Sequence, residues 1–217
     1  MPEAYETYDF TPLVESWAGG WNHITVIGDD DFARSTHIAL ARIRINSPET
    51  YATAVRYIHT IKQETRDYPE GYYIIDMLPV FVVPSFIYNN TNTIFAGDIV
   101  HYAIHFRQLH DQFVALQYLF ADYDDALQRA WDGLWLIHQE YGHNTTARNI
   151  LSDAINSSRF EEEQEALRVQ IEIMRNFGAP PHEIAGYEAG IGTIWWEPCE
   201  GRCFCELDRI IWTLRGN

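Results

Sequence analysis

Apolar residues along much of this chain recur at the three- and four-residue spacing of amphipathic helices. The longest series is Tyr102, Phe106, Leu109, Phe113, Leu116 and Phe120, followed by Leu127, Trp131, Leu134, His138 and Tyr141. Each series draws one stripe on a 3.6-residue helix and predicts two long helices between Ile94 and about Tyr141. Between them "ADYDD" offers capping aspartates and only a few connecting residues, so the pair is expected as an antiparallel hairpin.

The pattern elsewhere predicts shorter elements. Asp29 to Asp31 precede Phe32, Ala33, Ala39, Leu40 and Ile43, and acids suit the positive end of a helix dipole, which predicts a helix over roughly 30 to 45. Its rival is a strand at "HIALARIRI", where alternation is respectable. "NSPET" combines a capping Ser47, Pro48 at a first helical position and Glu49 in the first turn, and predicts a helix from about 48 to 66, ended by "DYPEG". Residues 72 to 88 are apolar without clear period, and Pro79 and Pro84 argue against a long straight helix, so this reads as a buried segment. A helix from Thr145 to about Ile155 and another through "SSRFEEEQEALRVQIEIMRNFG" follow, the second closed by Gly178. "GAPPHEIAGYEAGIGT" reads as a loop, "CELDRIIWTLRGN" as a last helix, and Glu161 to Glu163 as a solvated face. Residues 1 to 28 lack sustained periodicity and read as an irregular arm, with "HITVI" as a short strand within it. The expected fold is all-α or predominantly α: one domain over 1–217, with about six helices around the central hairpin and a Cys/Trp-bearing segment at 195–217.

Composition narrows the function classes. A 217-residue chain that is 47% apolar can fill one core. A formal charge of −16 repels phosphate backbones and anionic headgroups, so nucleic acid and membrane surfaces are not expected partners. The start "MPEAYETYDF" lacks the basic and apolar segments of a secretory signal, and no run reaches the length of a membrane span. Three cysteines clustered near the C-terminus, an odd count, argue against a secreted disulfide framework, and an intracellular, cytoplasmic protein is expected.

The chemistry lies first in "HYAIHFRQLHDQF", residues 101 to 113. His101 and His105 stand at i and i+4, so they share a helix face and can converge on one ion at about 2.0–2.2 Å. A hairpin turning near Tyr123 sets His105 level with Tyr141, each eighteen residues from the turn, and gathers His101, His105, His138, Glu140 and His143 at one end as candidate transition-metal ligands. His105 and His138 are the candidate catalytic groups for proton transfer. Glu140 and His143 have the Glu-x-x-His spacing of di-iron bundles, but such sites use two pairs and only one is present. The competing reading makes these histidines packing residues with one ring nitrogen bonded to a backbone carbonyl. "CEGRCFC" supplies a second set, Cys199, Cys203 and Cys205, with His182 as a fourth zinc ligand, although the usual two-residue separation is missing. A reactive thiol beside Arg202 and plain semi-buried cysteines are the alternatives.

Two functions remain open. In the first, the chain works by self-assembly as a homo-oligomer or by binding a protein partner, which its 14% aromatic content suits. In the second, it is a small helical enzyme, metal-dependent, acting on a small-molecule substrate at the histidine end of the hairpin.

Overall fold

The computed structural model describes residues 20–21, 23–65, 71–75, 78–84, 87, 91–121 and 145–193. Among these residues the order is β1 (Thr25–Ile27), α1 (Asp30–Asn46), α2 (Pro48–Tyr57), β2 (Thr60–Gln63), β3 (Gly71–Ile75), β4 (Leu78–Val83), α3 (Asn92–Ala121), α4 (Thr145–Asn176) and α5 (Pro181–Gly190). The expected all-α class is therefore wrong. The chain is helix-rich, but four strands form a mixed sheet in the order β1-β2-β4-β3.

The sheet arises where helical periodicity gives out. The helix expected to run to about 66 stops at Tyr57, and Ile58 turns extended at φ −110° and ψ 117°. The β-branched run Ile58, Thr60 and Ile61 then enters a sheet interior, with Thr60 to Lys62 paired parallel to Thr25 to Ile27 and Thr60 to Gln63 parallel to Val80 to Val83. Pairing to two neighbours outweighs a weak local helical preference. The unperiodic segment 72 to 88 holds β3 and β4, paired antiparallel from Gly71 opposite Val82 to Ile75 opposite Leu78. Pro79 to Val83 are all buried, as expected of a central strand covered on both faces. β1 lies inside the expected N-terminal arm, at the "HITVI" position.

α1 confirms the helical reading of 30 to 45. Asp29 caps it by accepting from the Phe32 N–H at 2.8 Å, and Phe32, Thr36, Ala39, Leu40 and Ile43 form the buried stripe. Asp29 also accepts from Gln63 Nε2 at 2.8 Å and donates its backbone N–H to Gln63 Oε1 at 2.9 Å, pinning the start of α1 to β2. Pro48 opens α2, but the Ser47 hydroxyl bonds Thr50 Oγ1 at 2.7 Å and caps no backbone N–H. The two helices expected around 145 to 178 are one continuous helix, α4, since "NSS" at 156 to 158 is tolerated inside a long helix. Past its end Gly178, at φ +70°, donates to Arg175 O at 2.9 Å while Ala179 donates to Met174 O at 2.9 Å, a glycine C-cap of the Schellman type. The expected loop after it contains α5, which uses Pro181 at the first helical position.

α3 is the central element. Residues 95 to 100 and 103 to 106 are buried on every side, as in a helix enclosed by neighbours. α1, α2 and α4 all pack on it, and α5 packs on α4. One core joins Phe32, Ile43, Ile58, Ile61, Phe81, Phe95, Ile99 and Phe106; a second, under α5, joins Leu167, Ile171, Met174 and Ile184. Gly97 sets the approach of α4: a Cβ there would lie 2.9 Å from Met174 Cγ and 3.2 Å from Gln170 Cγ. The expected second arm of the hairpin, about 125 to 141, and the segment 195–217 lie outside the described residues.

Candidate metal centre

The face of α3 turned toward α4 carries Asp98, His101, His105 and Gln108, spaced three, four and three apart. On α4, Glu163, Leu167, Gln170 and Met174 follow four, three and four apart, so Glu163 and Gln170 occupy the same stripe as two core residues. The seam between two packed helices is thus polar along part of its length. At its centre His101 Nε2 lies 3.0 Å from His105 Nε2. Glu163 reaches both, with Oε1 3.3 Å from His105 Nε2 and Oε2 3.6 Å from His101 Nε2. One ligand atom from each of the three residues falls within 4.8 Å of the others.

Donors and acceptors do not pair off evenly in this cluster when both rings are neutral. Gln108 Nε2 donates to Glu162 O at 3.1 Å and to Glu165 Oε2 at 2.8 Å, so both its N–H bonds are committed. Its Oε1 therefore faces His105 Nδ1, at 3.0 Å, and an oxygen only accepts. His105 carries its proton on Nδ1, which leaves Nε2 in the neutral ring as a bare lone pair aimed at His101 and Glu163. A proton on His101 Nε2 settles the contact between the rings but leaves His101 Nδ1 bare, buried and without a hydrogen-bond partner among the described residues. A proton on Nδ1 instead leaves the short Nε2 contact without a donor. Neither tautomer of a neutral His101 beside a neutral His105 satisfies the cluster; an imidazolium ion-paired with Glu163, or a cation bound at the centre, supplies what is missing.

The charge states of His101 and Glu163 agree with a ligand set. Burial is the largest influence on His101 and pushes it toward the neutral imidazole, against the pull of Glu163. Burial disfavours the Glu163 carboxylate too, but the bonds and charge of His101 and His105 outweigh it and hold that group well below the usual carboxylate range. A neutral His101 ring and an ionised Glu163 are the forms in which these two groups bind metal. Behind His105, Glu165 is held low once Gln108 and Arg107 overcome its own burial, and Arg107 pairs with it directly. This is the outer support a metal-binding histidine needs, since it fixes tautomer and ring orientation. Tyr72 of the edge strand β3 stacks on His105 at 5.6 Å and 11°, and Tyr102, the next residue of α3, lies edge-on to His101 at 5.5 Å, so each ring is flanked by a tyrosine.

Of the expected ligands, His101 and His105 do converge, whereas His138, Glu140, His143, Cys199, Cys203 and Cys205 lie outside the described residues. His182 is exposed in the first turn of α5. His110 packs edge-on to Tyr57 at 5.5 Å and contacts Asp111 at 3.3 Å, as a buried packing histidine does. Glu163 was hidden by its neighbours: Glu161 is exposed, as a solvated face requires, but the Glu163 side chain is only 19% exposed. No protein-family model, curated protein or solved structure matches the chain, so the chemistry of this seam has to carry the functional argument.

Proposed function

We propose that the protein is a metal-dependent enzyme that holds a divalent transition ion between His101 Nε2, His105 Nε2 and the Glu163 carboxylate. The observation that carries this reading is the convergence of one ligand atom from each of His101, His105 and Glu163 between two helices, all within 4.8 Å of one another. Two nitrogens each about 2.0–2.1 Å from a tetrahedral ion stand roughly 3.3 Å apart, so the rings need to move by only a few tenths of an ångström. Two histidines and one carboxylate form the ligand set of catalytic zinc and of non-haem iron(II) sites, and leave positions open for water and a small substrate. A bound ion would act as Lewis acid or lower the pKa of its water. The chain's own residues favour the neutral His101 ring and the ionised Glu163, and fix the His105 ring through Gln108 and Glu165.

A closed structural site would fill its fourth position from the protein, and none of the described residues offers a fourth ligand to this group. Three cysteines near the C-terminus suit a reducing compartment, and we take the enzyme to be cytoplasmic. Elemental analysis of purified protein tests the reading. One equivalent of a transition metal is expected in the wild type and none in a His101→Ala, His105→Ala double variant; equal metal in both would reject it.

Self-assembly or partner binding remains a second reading, favoured by one observation. Ile38 and Ile45 of α1, seven positions apart on one face, are 45% and 77% exposed, and Ile27 on the edge strand β1 is 49% exposed. Sedimentation of wild type against an Ile38→Glu, Ile45→Glu variant would separate a defined oligomer from a monomer.

A further inference from the structure

His105 and His101 are backed unequally. Behind His105 the chain runs Nδ1–H to Gln108 Oε1 and Gln108 Nε2 to a carboxylate of Glu165. Behind His101 the same parts are present one helical turn away. Gln170 Nε2 donates to Asp98 Oδ1 at 2.6 Å, and Tyr187 on α5 donates to the same oxygen at 3.3 Å. Asp98 and His101 are three residues apart on one face of α3, and Gln170 rides on α4 two turns from Glu163, which touches His101. Both Asp98 and Gln170 are buried, and with its nitrogen anchored on Asp98 the Gln170 amide has its oxygen as the acceptor end. Gln170 favours the protonated form of His101 through a side-chain interaction, while His101 Nδ1 is buried without a hydrogen-bond partner among the described residues.

Resting on the proposed metal centre, we propose that Gln170 is a positioning residue for His101: when the ion is bound, His101 Nδ1–H donates to Gln170 Oε1, and Asp98 with Tyr187 holds that amide in place. The centre then has matched supports, each imidazole backed by a glutamine and each glutamine by a carboxylate. One carboxylate, Glu165, comes from α4 and the other, Asp98, from α3, so each support crosses the seam in the opposite sense. Gln170 thereby fixes the His101 tautomer that exposes the Nε2 lone pair, which the metal-free arrangement leaves undetermined. Burial keeps the Tyr187 phenol protonated well above the ordinary range, with Asp98 adding to the effect, so Tyr187 remains a donor throughout. Outer partners of this kind change metal affinity by about 10- to 100-fold without touching the ion.

Zn2+ titrations and 15N-histidine NMR of the full chain test the proposal. In zinc-loaded wild type, the His101 Nδ1–H should give a slowly exchanging, downfield resonance. Gln170→Leu should lose that resonance and bind Zn2+ about 10- to 100-fold more weakly, with the metal-free circular dichroism unchanged. If wild type binds Zn2+ but Gln170→Leu binds it equally well and the His101 Nδ1–H exchanges freely, the support role is overturned while the metal centre stands. If wild type binds no Zn2+, the centre itself is overturned and the support role goes with it. Because the resonance is read in wild type, the proposal stays testable even where a variant fails to fold.

Discussion

Glu163 is where one residue changes the reading of the molecule. Its carboxylate stands against two imidazoles, and replacing it by glutamine keeps the volume but removes the charge and one ligand. Glu163→Gln should weaken Zn2+ binding by more than the roughly 10- to 100-fold typical of an outer-partner loss, as isothermal titration would show. His101 and His105 were legible from their i, i+4 spacing alone. Glu163 was not, because an acidic run reads as solvated, although its four- and seven-residue spacing to Leu167 and Gln170 already put it in phase with the buried stripe of α4. Gln108, Gln170 and Asp98 gave no signal, since a polar residue's partner across a helix pair is not written in either helix. Asp29 was legible as a cap. Its carboxyl is held below 3.8, first by the Phe32 N–H and then by Gln63. A lowered carboxylate contributes stability that is full above the unfolded value and lost as pH falls through the folded one. Asp29→Asn should therefore lower the unfolding midpoint at neutral pH and flatten its decline below about pH 4, in denaturation curves across that range.

At the scale of elements, sequence periodicity located helices well and strands poorly. α1 and α3 follow from their stripes, and the Gly178 cap follows from the glycine itself. β2 did not, because Ile58 and Ile61 fit the apolar phase of a continuing α2 as well as they fit a strand, and only pairing to β1 and β4 decides between them. α5 was missed because prolines and glycines suggested a loop, yet Pro181 sits at a helix start, where its lost N–H costs nothing. The approach of α4 to α3 depends on Gly97. Gly97→Ala should destabilise the protein by about 1–3 kcal/mol through overpacking against Met174, measured by urea denaturation. It should also weaken Zn2+ binding, because Glu163 and Gln170 move with α4. If stability falls and affinity does not, the centre does not depend on that helix spacing.

For the whole molecule, a mixed sheet and an enclosing set of helices flank the proposed metal seam at the α3–α4 contact, inside a chain of net charge −16. An acidic protein draws cations toward it and repels anionic polymers, which suits this use. None of the described helices is long and apolar enough to cross a membrane. A ligand that binds only the folded state stabilises it by RT ln(1 + [L]/Kd), about 2.7 kcal/mol at a hundredfold excess over Kd. Saturating Zn2+ should therefore raise the thermal midpoint of wild type by several degrees, a chelator should reverse the gain, and the His101→Ala, His105→Ala variant should show none. The most direct measurement is X-ray absorption at the zinc edge of the loaded protein. A first shell of nitrogen and oxygen at about 2.0–2.2 Å with the multiple scattering of two imidazoles is predicted. Sulfur at about 2.3 Å, as Cys199, Cys203 and Cys205 would give, or a shell without imidazole, would contradict it.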